Sequence, residues 1–338
     1  MTNQDPTVTP EPEPEYRVDI EHFDVLDDEF ANALVTVLNN HGLARTLVAG
    51  LLLQLPDPGM WRLTISGDVV ASVNAIEHRE EDNGYTIERG VGEVGARTIS
   101  AHDGTYDIVI GAWSFMPAFE VSSAEELVEY MHSIGAHLAI HESGHAILHQ
   151  RGEDSEAFQE LATGTKTERA WRKHLAAHID DFRIEKMTNR TAPSPSSNVE
   201  SIGDTIAHMR KELTESNVLR LTNGEAATLR SSNAVNDLIR VMTYLGAELG
   251  TGGAITKGLR PDPLPEGWDK YLEEIWDAWA LNLDRLEPAD EPMTVDEITA
   301  VLTDLCKIVV LWSQNIIGYH FEMHDDGSWT ANWTRSTY

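Results

Sequence analysis

His141-Glu142-Ser143-Gly144-His145 constrains this chain more than any other stretch of it. On a helix, residues four apart share one face, so the two imidazoles point the same way and can grip one metal ion. His137 and His149 extend the row, giving His137, His141, His145 and His149 at steps of four. The surroundings read as helix. Apolar residues recur at Leu127, Val128, Met131, Ile134, Leu138, Ala146 and Ile147, close to the helical period. Ser122-Ser123-Ala124-Glu125 reads as the capping box that starts it. Gly144 costs a helix interior about 1 kcal/mol relative to Ala, which makes sense where another element approaches closely.

Glu142 directly follows the first histidine, where a carboxylate reaches a metal-bound water. Zinc lowers the pKa of such a water to roughly 7, giving a nucleophile at neutral pH. The expected chemistry is metal-assisted hydrolysis, most often of a peptide bond, with His141 and His145 as zinc ligands and Glu142 as general base. The competing reading is a histidine-rich amphipathic helix that holds no metal. Four imidazoles in one row do not bind one ion. His137 and His149 therefore read as groups supporting the ligands, substrate contacts or surface residues.

A catalytic zinc takes three protein ligands and leaves one position for water. A histidine six residues after His145 is one way to supply the third, with a glycine between, but those positions hold Arg151 and Leu148. The ligand is expected from a later element, and Trp171–Met187 is the best candidate. At about 100° per residue, Trp171, Leu175, Ile179 and Phe182 form one apolar stripe, with His174, His178, Asp181 and Glu185 on its flank. Asp181 is the expected third ligand and His178 the alternative. His174 and Glu185 are candidates to support the ligands, Glu185 by orienting a ligand histidine. Asp180 points roughly opposite the stripe, toward solvent. The competing reading is a solvated charged face paired with Arg172, Arg183 and Lys186. His174, His208 and Tyr244 are conceivable donors to an oxyanion.

A helix carrying His141-Glu142-x-x-His145, followed about thirty residues on by a second helix with an acidic cluster, resembles the zincin metallopeptidases. More narrowly it is similar to gluzincin-like proteins, in which an acidic residue on a downstream helix completes the site. The nearest architecture is that of the ImmA/IrrE-like metallopeptidases, where strands precede the active helix and an acidic ligand follows it. The resemblance covers residues 60–187, and its motif match is His141, Glu142 and His145. Asp181-Phe182-Arg183-Ile184-Glu185 stands where that family has an acidic residue and a run of small ones. The resemblance implies Zn2+ as cofactor and a protein or peptide, dedicated to this enzyme, as substrate. The expected fold class is α+β: a small zincin-like sheet packed on the active-site helix, then a mostly helical C-terminal half.

Residues 1–16 read as a disordered, acidic, proline-rich tail, 17–190 as the zincin-like domain, 191–200 as a linker or loop, and 201–338 as a helical domain ending in a hairpin. Asp27–Leu55 is expected to be helical in two pieces, broken near Asn39–Gly42. Alternation marks a strand at Trp61, Leu63 and Ile65, with others near Tyr85–Ile87 and at Tyr106–Trp113. The last is either the sheet edge beside the cleft (or its neighbour), where a substrate backbone can pair, or a buried central strand. Helices are expected at Asp154–Leu161, Glu168–Thr188, 201–219, 225–249, 268–286 and 294–317, with a capping box at Thr294-Val295-Asp296-Glu297. Tyr319–Trp333 alternates around Asp325-Asp326-Gly327 as a hairpin does. Its Trp329 and Trp333 either pack on the helical domain or form a binding surface.

Composition narrows the partners. The 338 residues carry 25 Lys plus Arg against 56 Asp plus Glu, a net charge of −31. No general basic surface for nucleic acid or an anionic membrane is expected. The acidic residues are spread along the chain, which argues against a DNA-imitating polyanion. Cys306 is the single cysteine, set in an apolar helical pattern, so a buried free thiol is expected. The N-terminal stretch has no apolar centre, and the apolar run Thr46–Leu55 is too short to cross a bilayer. A cytoplasmic protein is the expectation. A second class of function is a regulatory or interaction protein on a metallopeptidase scaffold, with little or no proteolysis.

Overall fold

The computed structural model describes residues 18–79, 85, 95–250 and 258–338; the tail 1–16 lies outside these. The first part of the chain runs β1 (Val18–Glu21), α1 (Asp28–Asn40), α2 (Leu43–Leu52), β2 (Trp61–Ser66), α3 (Val69–Glu77), β3 (Ala96–Ser100), β4 (Tyr106–Gly111) and α4 (Ala124–Arg151). The Asp27 carboxylate accepts from the N–H groups of Glu29 and Phe30 and so starts α1. Gly42, with φ at +83°, breaks the chain between α1 and α2, a conformation glycine adopts freely.

The sheet order is β1-β2-β4-β3, with β1, β2 and β4 parallel and β3 antiparallel to β4. Leu63, Ile65, Ile108 and Ile110 pack in one core with α1, α2 and α4. Val109 and Ile99 turn to the other face, against Val69 and Val73 of α3. A strand covered on both faces reads as a continuous apolar run, which explains Ile108-Val109-Ile110. Tyr106–Gly111 is therefore an interior strand and the neighbour of β3, which with β1 forms the two edges of the sheet. Tyr85 lies in irregular chain, its N–H donating to Asn74 Oδ1, while 86 and 87 fall outside the described residues. Strand β3 escaped the alternation test because it has only five residues, two of them the exposed Arg97 and Ser100.

Helix α4 spans 28 residues. Its N-cap is Ser123, whose Oγ accepts from the N–H of Glu126, while Glu126 Oε2 accepts from the N–H of Ser122. The cap thus sits one residue later than a box of Ser122 and Glu125 would put it.

The second part runs α5 (Ser155–Phe158), α6 (Lys166–Ala170), α7 (Arg172–Thr191), α8 (Asn198–Leu219), α9 (Gly224–Leu249), α10 (Trp268–Tyr271), α11 (Glu273–Leu283) and α12 (Val295–Trp312), then the hairpin β5 (Tyr319–Met323) and β6 (Trp329–Trp333). The molecule is α+β, a small mixed sheet followed by a mostly helical C-terminal half. Trp171, Leu175, Ile179 and Phe182 of α7 share one apolar core with α8, α9, α11 and α12. The large cores consequently divide after α4, and not at 191–200, because the apolar stripe of α7 faces the later helices. The Trp pair of the hairpin splits: Trp333 is buried, its Nε1–H donating to Ser231 Oγ, and Trp329 is 39% exposed. Val295–Ile317 is the one helix among the described residues long and apolar enough to cross a membrane by length and composition, and half of it is buried in this core.

Candidate metal centre

The site lies along the seam where α4 meets α7, and Gly144 sets how closely they approach. A Cβ at Gly144 would lie 2.8 Å from Ile184 Cγ2 and 3.1 Å from Met187 Cε, both on α7. From its other side α7 is held by Arg183, which is fully buried. Arg183 Nη2 donates to Glu153 Oε2 at 2.7 Å and to Glu291 O at 3.0 Å, and its Nε to Glu287 O at 3.0 Å. Asp180 is buried as well, and its Oδ2 accepts from the N–H of Ser155 at the start of α5. Neither residue belongs to a solvated face, because α7 is packed on several sides at once.

The helices run antiparallel here, since His141 meets Glu185 and His145 meets Asp181. His145 Nε2 lies 3.6 Å from Asp181 Oδ1. That is long for a hydrogen bond. It is close to the roughly 3.4 Å between two donors each about 2.1 Å from one tetrahedral ion. Ligand atoms of His141, His145 and Asp181 all lie within 4.8 Å of one another. A second group, His137, His141 and Glu185, meets the same criterion. Hydrogen bonding and exposure separate them. His141 Nδ1 and Glu185 Oε1 are 2.7 Å apart, a bonded pair with no room for an ion, which leaves Nε2 of His141 as the coordinating nitrogen. The side chains of His145 and Asp181 are 32% and 20% exposed, against 8% and 5% for His137 and Glu185. Only the first group is open to solvent. Two imidazoles and a carboxylate are a donor set that suits zinc.

The histidine row thus divides its partners. His137 and His141 turn to Glu185, His145 to Asp181, and His149 Nδ1 to the Tyr106 hydroxyl at 3.1 Å. His178 does not join the cluster. It sits three residues before Asp181, about 4.5 Å back along α7, and its Nε2 pairs with Asn236 Oδ1 of α9 at 2.9 Å. His174 is exposed beside Trp171, further along the same helix and away from the cluster. Tyr244 of α9 comes near enough to Asp181 to influence its carboxyl group. The residue that sequence reasoning missed is Thr98 on β3. Its Oγ1 lies 2.7 Å from Glu142 Oε2 and 3.0 Å from Glu142 O, so the sheet edge holds the glutamate. Nothing local marks Thr98; only the pairing of β3 with β4 brings it beside α4.

The electrostatics follow from burial and proximity. Burial disfavours the cationic form of His141, but the hydrogen bond and charge of Glu185, with Glu142 and Asp181, push its pKa up to about 9. Burial would raise Glu185, yet His137 and His141 hold it well below the carboxylate range. Burial raises Glu142, only partly offset by His141, Thr98 and Arg97, which makes it a stronger base than an ordinary glutamate. Asp181 is likewise raised by burial, against the pull of His141 and the Tyr244 hydroxyl. His145 is driven well below its usual value by burial, aided by the His141 and Arg97 charges, so it presents a neutral imidazole.

A cavity of about 480 Å³ lies elsewhere, bounded by Lys166, Arg169, Trp171 and His174 and by Phe321 and Met323 of β5; no residue of the cluster lines it. No protein-family model, curated protein or solved structure matches this chain.

Proposed function

We propose that the chain is a zinc-dependent peptidase of the HExxH type, acting on a dedicated protein or peptide substrate. The observation that carries this reading is the approach of Asp181, from a separate helix, to within 3.6 Å of His145 on the exposed side of the seam. His141, His145 and Asp181 would hold the ion. A zinc ion held there would supply a Lewis acid and would lower the pKa of water to about 7. Glu142 accepts the proton of the attacking water and returns it to the leaving amine. The Thr98 hydroxyl keeps the Glu142 carboxylate aimed during both transfers. Tyr244, kept protonated by burial and the Asp181 charge, would be a donor for the oxyanion. Among the described residues β3 pairs only with β4, so an extended substrate can add to its outer edge beside Glu142. A cytoplasmic setting fits the lone buried thiol of Cys306.

The test is elemental analysis for zinc, followed by proteolysis of peptide and protein substrates with and without a chelator. Glu142→Gln should keep its zinc and lose about 10²–10⁴-fold in rate. Full activity in that variant removes the general base, and a purified protein without stoichiometric zinc removes the whole reading. A second reading, an interaction protein on the same scaffold, draws on Val218, Leu221 and Leu229, exposed apolar residues near the α8–α9 turn. A zinc-bearing protein that is inert on every substrate favours it.

A further inference from the structure

Glu185 receives a second imidazole that the proposed chemistry does not use. His137 Nε2 lies 3.3 Å from Glu185 Oε1, the same oxygen that accepts from His141 Nδ1 at 2.7 Å. His137 Nδ1 lies 3.0 Å from Ala192 O, at the residue that caps the C-terminus of α7. Carbonyls in the last turn of a helix have no partner within it. Such an oxygen only accepts, so His137 Nδ1 carries a hydrogen, and the ring is fixed by the end of α7; the Glu185 carboxylate likewise only accepts, so the contact at Nε2 needs a hydrogen there as well. That orientation turns Nε2 onto Glu185. Both side chains are buried, His137 at 6% and Glu185 at 4% exposure, so water does not compete for either contact.

We propose that His137 is a positioning residue for the metal centre: by pinning Glu185 it fixes the tautomer and the aim of His141. The inference rests on the zinc reading above. A carboxylate held by a single donor can rotate about its terminal torsion, which is broad and roughly two-fold. A second donor on the same oxygen restricts that rotation, and with it the imidazole that the carboxylate orients. The plainer alternative is that His137 does no more than cap α7.

Two substitutions separate these roles. The amide nitrogen of His137→Gln can stand in for Nε2 and keep the contact with Glu185; that of His137→Asn can stand in for Nδ1 and keep the bond to Ala192. Zinc affinity is read by competition with a chromophoric chelator, and ligand geometry by the visible spectrum of the Co2+-substituted protein. The expected result is His137→Gln within about threefold of the parent and His137→Asn weaker by about 10–100-fold, with shifted cobalt bands. The reverse order assigns His137 to capping alone and overturns the proposal, as do equal losses or none. Imidazole ¹⁵N NMR of the parent protein needs no variant. Hydrogen on both ring nitrogens of His137, together with a protonated Nδ1 of His141, supports the proposal; a His137 with a bare Nε2, or an Nε2-only tautomer at His141, overturns it. If the parent itself binds no zinc, this inference falls with the zinc reading. If the parent binds zinc and both variants match it, only the inference falls.

Discussion

Two buried regions meet along α7, and they are made of different materials. Toward α9 and α12, Leu175, Ile179 and Phe182 enter a core that also buries Trp276, Trp279 and Trp312. Toward α4, the same helix buries Glu185 against His137 and His141, with Arg183 and Asp180 on other sides. Removing apolar surface from water stabilises directly, at roughly 25 cal/mol per Å². Burying charged groups costs free energy unless they are paired, and a paired set does little better than apolar residues of the same shape. The first region therefore stabilises the fold, as does the core between the sheet and α1, α2 and α4. The second is hard to explain by stability, and easier by the geometry it gives His141 and His145.

The comparison can be broken in four ways, from the largest effect to the smallest. Trp276→Ala should cost about 3–5 kcal/mol in denaturant unfolding while the folded protein keeps its zinc affinity. A variant that lost zinc as readily as stability would show that the two regions are one unit. Gly144→Val forces atoms into the space of Ile184 and Met187 and should cost about 1–3 kcal/mol. It should also move Asp181 off the histidine pair and weaken zinc, which the chelator competition would detect; unchanged affinity would mean that the close approach of α7 has no bearing on the site. Glu185→Gln should lower zinc affinity about 10–100-fold, the usual cost of losing a partner of a ligand histidine. Equal affinity in parent and variant would make the seam merely structural.

The smallest step is the one expected for a single pH unit. His141 rises from its ordinary 6.5 to about 9 in the folded, metal-free protein. Its pairing thus stabilises fully below pH 6.5 and is lost as pH rises through 9. Thermal unfolding of the metal-free protein should fall across that window. Zinc must displace the same proton, so its affinity should climb by about tenfold per pH unit there. A flat zinc affinity would show that His141 releases no proton and is already neutral across that window, whereas Trp276→Ala should leave the slope unchanged.

Much of the architecture was legible because it depends on neighbours in sequence. The break at Gly42, the strand Trp61–Ser66, the helix through His141 and the capping box at Thr294 and Glu297 are local patterns. Where a pattern was short or ambiguous, the reading slipped. The cap at Ser123 was displaced by one residue because two serines and two glutamates compete there. The five residues of β3 carry too few apolar positions to show a period. The division of cores was hidden because an apolar stripe does not say which neighbour covers it.

That His141 and His145 share a face, with Glu142 beside them, follows from their spacing alone, since a helix brings residues four apart together whatever surrounds it. Asp181 and His178 looked nearly alike on that basis, one turn apart on one flank. Only the tertiary structure chose between them, because α9 takes His178 through Asn236 while α4, seated on α7 at Gly144, receives Asp181 and Glu185. It alone also brought Thr98 and His137 to their partners. Those contacts join segments 44 to 55 residues apart, and no local rule of helix or strand carries information across such a distance.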